Sequence, residues 1–398
     1  MFIGSIGAFG NFVNLYLDQV VGLTGAQIGL IMSLGMITTV VMNPIWGYIA
    51  DKTGKHTFLL KMTFFSAVAV GALYYAASSF LMVVVAAILF EGLRAPTMPM
   101  LEYLTTNYAD KHNYDFGKIR VYASWGFLLI AMATGFMVAG MEFELFGRQI
   151  GFAGFLSLEF AAFGVFIIMS FLALLLVFLL PKSDSENDTV TTVAKKAFGK
   201  ADVKALLQNR RFVFILILTM LGMATLEAAW NYATMHVVTV LGASEGIISL
   251  LAFFMVVPEV VILPLGTVLV LKTGFKNWYI LSLISMVGRL LVYSFVTDPV
   301  IFALGGVVHG IMIVMHITGT IAYIRKVVPA KSLGLALTVL ASGMALSRAL
   351  FSFVFGFVYD NISSFAVFRI AAAVVLVALI LAFKSKHLKT VGDEIGVA

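Results

Sequence analysis

Long apolar blocks, separated by short polar clusters, run the whole length of this chain. A helix needs about 20 apolar residues to cross ~30 Å of hydrocarbon. On that scale the pattern predicts twelve membrane-spanning helices, at 2–22, 25–50, 57–77, 80–107, 114–139, 152–180, 211–240, 245–271, 276–296, 299–327, 331–359 and 363–385. The blocks are too long and continuous for barrel strands, and lipid does not tolerate unpaired backbone, so helix is the expected state throughout. Blocks longer than about 25 residues imply tilt or ends that project from the bilayer. The expected fold class is an all-α integral membrane protein.

One long polar stretch, 181–210, divides the blocks six and six. The expected organisation is an N-terminal six-helix bundle over 1–180, a cytoplasmic linker over 181–210 and a C-terminal six-helix bundle over 211–398. The halves look related. A gapless shift of 220 residues sets Asn11 on Asn231, Val20 on Val240, Gly22 on Gly242 and Pro44 on Pro264, and lays Lys52-Thr53-Gly54 on Lys272-Thr273-Gly274.

Composition agrees with the pattern: 61% of residues are hydrophobic, 12% are charged, and mean hydropathy is +1.03. Twenty of the 26 Lys and Arg residues fall at one set of alternating block ends. By the positive-inside rule those ends are cytoplasmic, so both termini are expected inside a plasma membrane. The net charge of +6 is this bias, scattered over loops rather than massed with aromatic residues, so no nucleic-acid partner is expected. The chain has no cysteine, which excludes disulfide and thiolate chemistry. The first residues lack the basic start of a cleavable signal peptide. Met1 already lies in the first block, so a few further residues are expected upstream of it. No phosphate-binding G-x-x-x-x-G-K-[ST] occurs, and His56, His112, His236 and His387 are scattered near block ends. No metal, cofactor or catalytic residue is expected, and an enzyme is disfavoured.

What stands out is charge inside the apolar blocks: Glu91, Arg94, Glu102, Arg120, Glu227, Glu259, Arg289 and Arg348. A charge at bilayer depth costs about 2.5–3.5 kcal/mol on insertion scales, so such residues usually face a partner or a water-filled path. Glu91 and Arg94 are three apart on one helix and share a face. Glu102 and Arg120 lie at matching depth on successive helices and can pair, and a guanidinium–carboxylate pair presents a planar polar surface to hydroxyls. Glu259 and Arg289 also match in depth, and His309 and His316 follow on the next block. Arg348 has no evident partner in the sequence. Asn11, Asn14 and Asn231 suit helix–helix hydrogen bonding as well as ligand binding. The 35 Phe residues read mostly as lipid-facing bulk.

Two motifs carry a resemblance. Gly47-Tyr48-Ile49-Ala50-Asp51-Lys52-Thr53-Gly54-Lys55 resembles the loop signature of the major facilitator superfamily, whose fold is two six-helix repeats with the binding site at their interface. The resemblance implies gating roles for Gly47, Asp51, Lys52 and Gly54: close helix approach, a latch and a tight turn. Pro99-Met100-Leu101-Glu102, followed by Asp115-Phe116-Gly117-Lys118-Ile119-Arg120, is similar to the oligosaccharide–proton symporters of lactose permease type and to the phenylpropionate-permease group. That likeness implies substrate contact for Glu102 and Arg120. It sets Phe127 where the family carries a sugar-stacking Trp, and it gives Arg289 and His309 the spacing of the family's proton-coupling pair. Met312 stands where the family's proton-carrying acid would be, so another buried carboxylate must serve.

The reading is a secondary transporter that imports a sugar or oligosaccharide with protons by alternating access. The alternatives are a nucleoside or small aromatic acid as substrate, or export of a drug or lipid. Substrate binding is expected of Glu102, Arg120, Phe127, Asn231 and His309, and proton coupling of Glu259, Arg289 and Glu227. The partners are a small-molecule substrate, protons and the bilayer, and the protein is expected to be a monomer.

Overall fold

The computed structural model describes residues 2–112, 114, 116–145, 148–179, 200–329, 332–385 and 388. Helices form at every predicted block. They are α1 (Phe2–Gln19), α2 (Gly25–Thr53), α3 (His56–Tyr75), α4 (Phe80–Arg94), α5 (Thr97–His112), α6 (Phe116–Ala139) and α7 (Val165–Leu179). They continue with α8 (Lys200–Gln208), α9 (Arg210–Thr219), α10 (Thr225–Trp230), the single turn α11 (Ala233–Met235) and α12 (Ile247–Ile262). The last are α13 (Gly266–Thr273), α14 (Phe275–Tyr293), α15 (Pro299–Val327), α16 (Leu333–Asn361) and α17 (Ser364–Lys384).

Local signals set the helix ends. Thr24 and Gln27 form a capping box at the start of α2, with bonds of 3.3 and 3.0 Å. The Asp298 carboxylate accepts from the amides of Val300 and Ile301 ahead of α15, whose first residue is Pro299. Glycines with positive φ follow the repeat: Gly22 and Gly242 at 74° and 70°, and Gly54 and Gly274 at 66° and 78°. Each ends a helix where a side chain would be strained.

Ten helices among the described residues are long and apolar enough to cross a membrane. The other two predicted spans, α1 and α14, are helical but fall short of that test. The first has 18 residues and carries Asn11 and Asn14; the second carries Lys276, Asn277 and Arg289.

Three expectations are corrected. The block at 80–107 keeps its length as one apolar span, Phe80–Thr106, but a turn at Ala95–Pro96 breaks it into α4 and α5, because proline lacks an amide proton and crowds the preceding turn. The block at 211–240 is interrupted by π-turns at Met220–Ala224 and His236–Val240 and by a turn at Asn231–Tyr232. The fold is not wholly α: β1 (Gly140–Leu145) and β2 (Arg148–Ala153) pair antiparallel, with Gly140 opposite Ala153 and Leu145 opposite Arg148. The Met-Glu-Phe-Glu-Leu alternation of β1 has the period of two that a strand requires.

Contacts divide the chain into two units, Met1–Ala194 with Thr234–Phe253, and Lys195–Ala233 with Phe254–Ala398. The core of the first is aromatic. Phe9 packs on Phe90 at 5.0 Å and on Phe166 at 5.4 Å between ring centroids, and Tyr74 lies 5.0 Å from Phe163. These phenylalanines are buried. Many phenylalanines thus serve helix packing rather than the lipid surface. In this unit the Thr239 hydroxyl donates to Asp18 at 2.9 Å and accepts from Gln19 at 3.4 Å. Gln19 and Thr239 are equivalent under the 220-residue shift. The second unit has its own core, where Tyr293 stacks on Phe302 at 3.9 Å and Phe368 meets both edge-on.

Candidate functional site

In the first unit α5 carries Glu102, whose side chain is exposed. It lines an open groove of about 330 Å³ together with Phe2, Phe64, Thr105, Tyr122 and Leu176 among others, and Tyr122 and Leu176 are themselves exposed. Arg120 sits on α6, five residues into the helix by sequence; its side chain lies outside the described residues. Phe127 is half-buried against α1. A Cβ on Gly7 would come within 3.3 Å of its ring and 2.8 Å of its carbonyl oxygen, so the ring also serves helix packing.

Glu91 and Arg94 form the expected intrahelical pair, with both carboxylate oxygens bonded to Nη2, at 2.7 and 2.6 Å. Thr39 donates to the same carboxylate at 3.4 Å. Gly35 makes room for it, since a Cβ there would lie 3.0 Å from the Glu91 Cγ. The Arg94 Nε carries no hydrogen bond among the described residues.

The loop motif lies at the end of α2. Gly54, at φ 66°, caps α2 by donating to the Ala50 carbonyl at 2.9 Å. The Lys52 ammonium lies 5.8 Å from the Tyr48 ring. Gly47 makes no close helix contact here: a Cβ added to it would have no neighbour within 4 Å, because this face of α2 is open. The Asp51 side chain lies outside the described residues.

The second unit gathers most of the remaining candidates. On α10, Glu227 meets Arg348 of α16 at 2.7 Å between Oε2 and Nη1. One turn along both helices, Asn231 Nδ2 donates to the Ser352 hydroxyl at 2.9 Å. The Tyr232 hydroxyl donates to the Ser352 carbonyl at 2.6 Å. The spacing of four residues on each helix puts the two polar links on one face. Arg348, unexplained by the sequence, is therefore the partner of Glu227.

Arg289 of α14 is 3% exposed. Its Nη1 lies 2.7 Å from His309 Nδ1 on α15. A guanidinium only donates, so this nitrogen accepts and the ring proton resides on Nε2. The guanidinium carbon is 5.0 Å from the Trp230 ring and 4.8 Å from the Tyr293 ring, and Trp230 stacks on His309 at 6.2 Å. Cation–π contact offsets part of the cost of burying the charge. Arg289 has no carboxylate partner among the described residues, and its Nε and Nη2 carry no hydrogen bond there. Glu259 lies on α12 where α12 and α15 touch backbone to backbone. A Cβ on Gly310 would meet the Met255 carbonyl, and would lie 2.7 Å from the Glu259 amide nitrogen.

The structure thus joins Glu227 to Arg348, Asn231 to Ser352, and Arg289 to His309 and Trp230. Sequence reasoning missed Trp230 and Ser352. The signal for Trp230 was its place three residues after Glu227, about one helical turn along.

Comparison with known proteins agrees with this architecture. Residues 1–370 match the model of the MFS_1 like family. The chain is 25% identical over 395 residues to the uncharacterized transporter YwbF of Bacillus subtilis (strain 168), covering 97% of this chain and 92% of that protein. It is 25% identical over 394 residues to a maltose permease of Geobacillus stearothermophilus, covering 98% and 93%. The solved structure of the nucleoside transporter NupG superposes with a TM-score of 0.79 at 16% identity over 97% of each chain, a likeness of fold.

Proposed function

This chain belongs to the MFS_1 like family of membrane transporters, and from that premise we propose that it imports a sugar or oligosaccharide together with protons. The observation that carries the sugar reading is the likeness to a maltose permease over nearly the whole chain. Glu227 is paired with Arg348, Arg289 is bonded to a neutral acceptor on His309, and the Trp230 ring lies beside them, so polar groups and a flat apolar ring of the kind a sugar can stack on stand together.

In this reading Glu102, Arg120 and Phe127 contact substrate from the first bundle, and Asn231 and His309 from the second. The open groove beside Glu102 has room for a sugar ring. Glu259 carries the proton and Arg289 tunes it, with Glu227 the next candidate. Gly47, Asp51, Lys52 and Gly54 form the cytoplasmic latch. The bundles are 1–180 and 211–398, joined by the linker at 181–210. All twelve helices cross the plasma membrane, both termini are cytoplasmic, and the protein acts as a monomer.

A thermal-shift screen of the purified protein against maltose, uridine and phenylpropionate tests the substrate class. A ligand at a hundred times its Kd stabilises by about 2.7 kcal/mol. A shift with maltose alone is expected. A shift with uridine alone transfers the assignment to nucleosides.

A further inference from the structure

The hairpin of β1 and β2 takes no part in the site described above. It lies between two segments long and apolar enough to cross a membrane, Val121–Ala139 and Phe160–Leu179. Its base is held against the end of α6. The Phe155 and Leu156 amides both donate to the Met137 carbonyl at 2.9 Å. Gly140, at φ 82°, opens β1 in a conformation that a side chain would strain, and a Cβ there would lie 2.6 Å from the Phe152 carbonyl oxygen. A Cβ on Gly154 would meet the Val138 carbonyl. Each strand has six residues and spans about 20 Å at ~3.3 Å per residue, so the whole hairpin stays close to the end of a membrane-spanning helix.

The register sorts the hairpin into two faces. Directly opposed residues of an antiparallel pair share a face, and neighbours along a strand alternate. Met141 is opposite Phe152, Phe143 opposite Ile150 and Leu145 opposite Arg148, so these share one face. The other face holds Glu142 opposite Gly151 and Glu144 opposite Gln149, with Gly140 and Ala153 at the base. One face thus has five large apolar residues and a cation at the tip, while the other has two acids, an amide and no large apolar residue. Phe152 is 42% exposed and Phe155, just past the strand, is 68% exposed. Their rings lie 6.1 Å apart, so an aromatic pair stands uncovered at the base of the hairpin.

Exposed, contiguous apolar surface of this kind marks an interaction site. Continuity with a membrane-spanning segment on either side identifies the partner as the bilayer itself. Charge agrees with that partner. Arg148 at the tip suits headgroup phosphates, whereas two carboxylates are repelled by an anionic surface, so the Glu142–Glu144 face is the one left in water. The backbone bounds the depth. Each strand has an outer edge whose N–H and C=O groups have no partner strand, and such groups need water. The hairpin therefore belongs in the headgroup boundary and not in the hydrocarbon.

We propose that this hairpin is an interfacial anchor, with the Met141–Phe143–Ile150–Phe152 face docked on the lipid surface between α6 and α7. Interfacial amphipathic helices bury their apolar face about 5–10 Å into the same boundary, and a hairpin with one apolar face meets the same forces. The anchor rests on α6 and α7 as spans and is independent of the substrate.

The test uses the full chain in vesicles of phosphatidylcholine and phosphatidylglycerol, and the absence of native cysteine makes each label unique. Phe143→Cys and Phe152→Cys on one face, and Glu142→Cys and Glu144→Cys on the other, each carry a nitroxide. Collision with oxygen, which concentrates in lipid, is compared with collision with a water-soluble nickel chelate. The oxygen-to-chelate ratio should be several-fold higher on the apolar face than on the acidic face, alternating with a period of two along β1. Where a phenylalanine variant does not fold, Met141→Cys and Ile150→Cys replace it on the same face. High chelate collision on both faces stands the hairpin in water and overturns the anchor. Apolar-face labels shielded from both reagents are covered by protein, of this chain or of a second copy, and overturn it too. Lipid-like ratios on both faces sink the hairpin below the headgroups and overturn the placement at the interface.

Discussion

Glu227 and Arg348 are 121 residues apart in sequence and 2.7 Å apart in space, and each is left about a third exposed by the other. A pair so placed is neither a surface bridge nor a fully desolvated one. Removing the Glu227 charge takes from Arg348 its ion-pair partner at 2.7 Å in a partly buried setting. Glu227→Gln should therefore destabilise by about 1–3 kcal/mol, between the values for exposed and buried pairs. The double variant Glu227→Gln/Arg348→Gln should recover much of that loss. Thermal unfolding in detergent of both single variants and the double variant measures the coupling. Additive losses would mean that the two charges are independent.

Arg120→Ala should abolish substrate binding, and Arg120→Lys should rescue it poorly. Lysine keeps the charge but lacks the fork that binds a carboxylate and a hydroxyl together. Ligand-induced thermal shifts of the two variants, with Glu102→Gln alongside, report this directly. Rescue by lysine to wild-type affinity would reduce the role of Arg120 to charge alone.

Glu259→Gln should end uphill accumulation while exchange of substrate across the membrane continues. The amide keeps the shape of the side chain but cannot take up or release a proton. Accumulation with an unchanged pH dependence would move the proton carrier elsewhere, with Glu227 the next residue to test.

Asp51→Asn should shift the protein towards its inward-facing state and slow turnover without removing binding. A difference of ~1.4 kcal/mol between states changes their ratio tenfold. The chain has no native cysteine, so single-cysteine probes on the cytoplasmic side report accessibility without background. Labelling that does not change would leave Asp51 only a role in shaping the turn at Gly54.

What the sequence determined by itself is whatever is local or periodic. Block length located the helices, because hydrocarbon thickness sets a minimum span. The Glu91–Arg94 pair was legible because three residues on one helix fix a shared face. The 220-residue shift anticipated the paired positive-φ glycines, since a repeated chain turn needs the same backbone freedom each time. Tertiary structure alone decided the pairing of Arg348 with Glu227, the contact of Arg289 with Trp230 and the packing of His316 on Tyr279. In a soluble helix an amphipathic stripe shows which side is inward. Here lipid is as apolar as the protein interior, so no such stripe marks the inner face, and the rotation of each helix is set only by its neighbours. Matched depth therefore suggested Glu259 for Arg289, while the packing of α14 on α15 set it against His309, the residue that the family resemblance had placed with it. The breaks at Pro96 and at Asn231–Tyr232 compound this, because each resets the helical phase and so redirects every side chain beyond it.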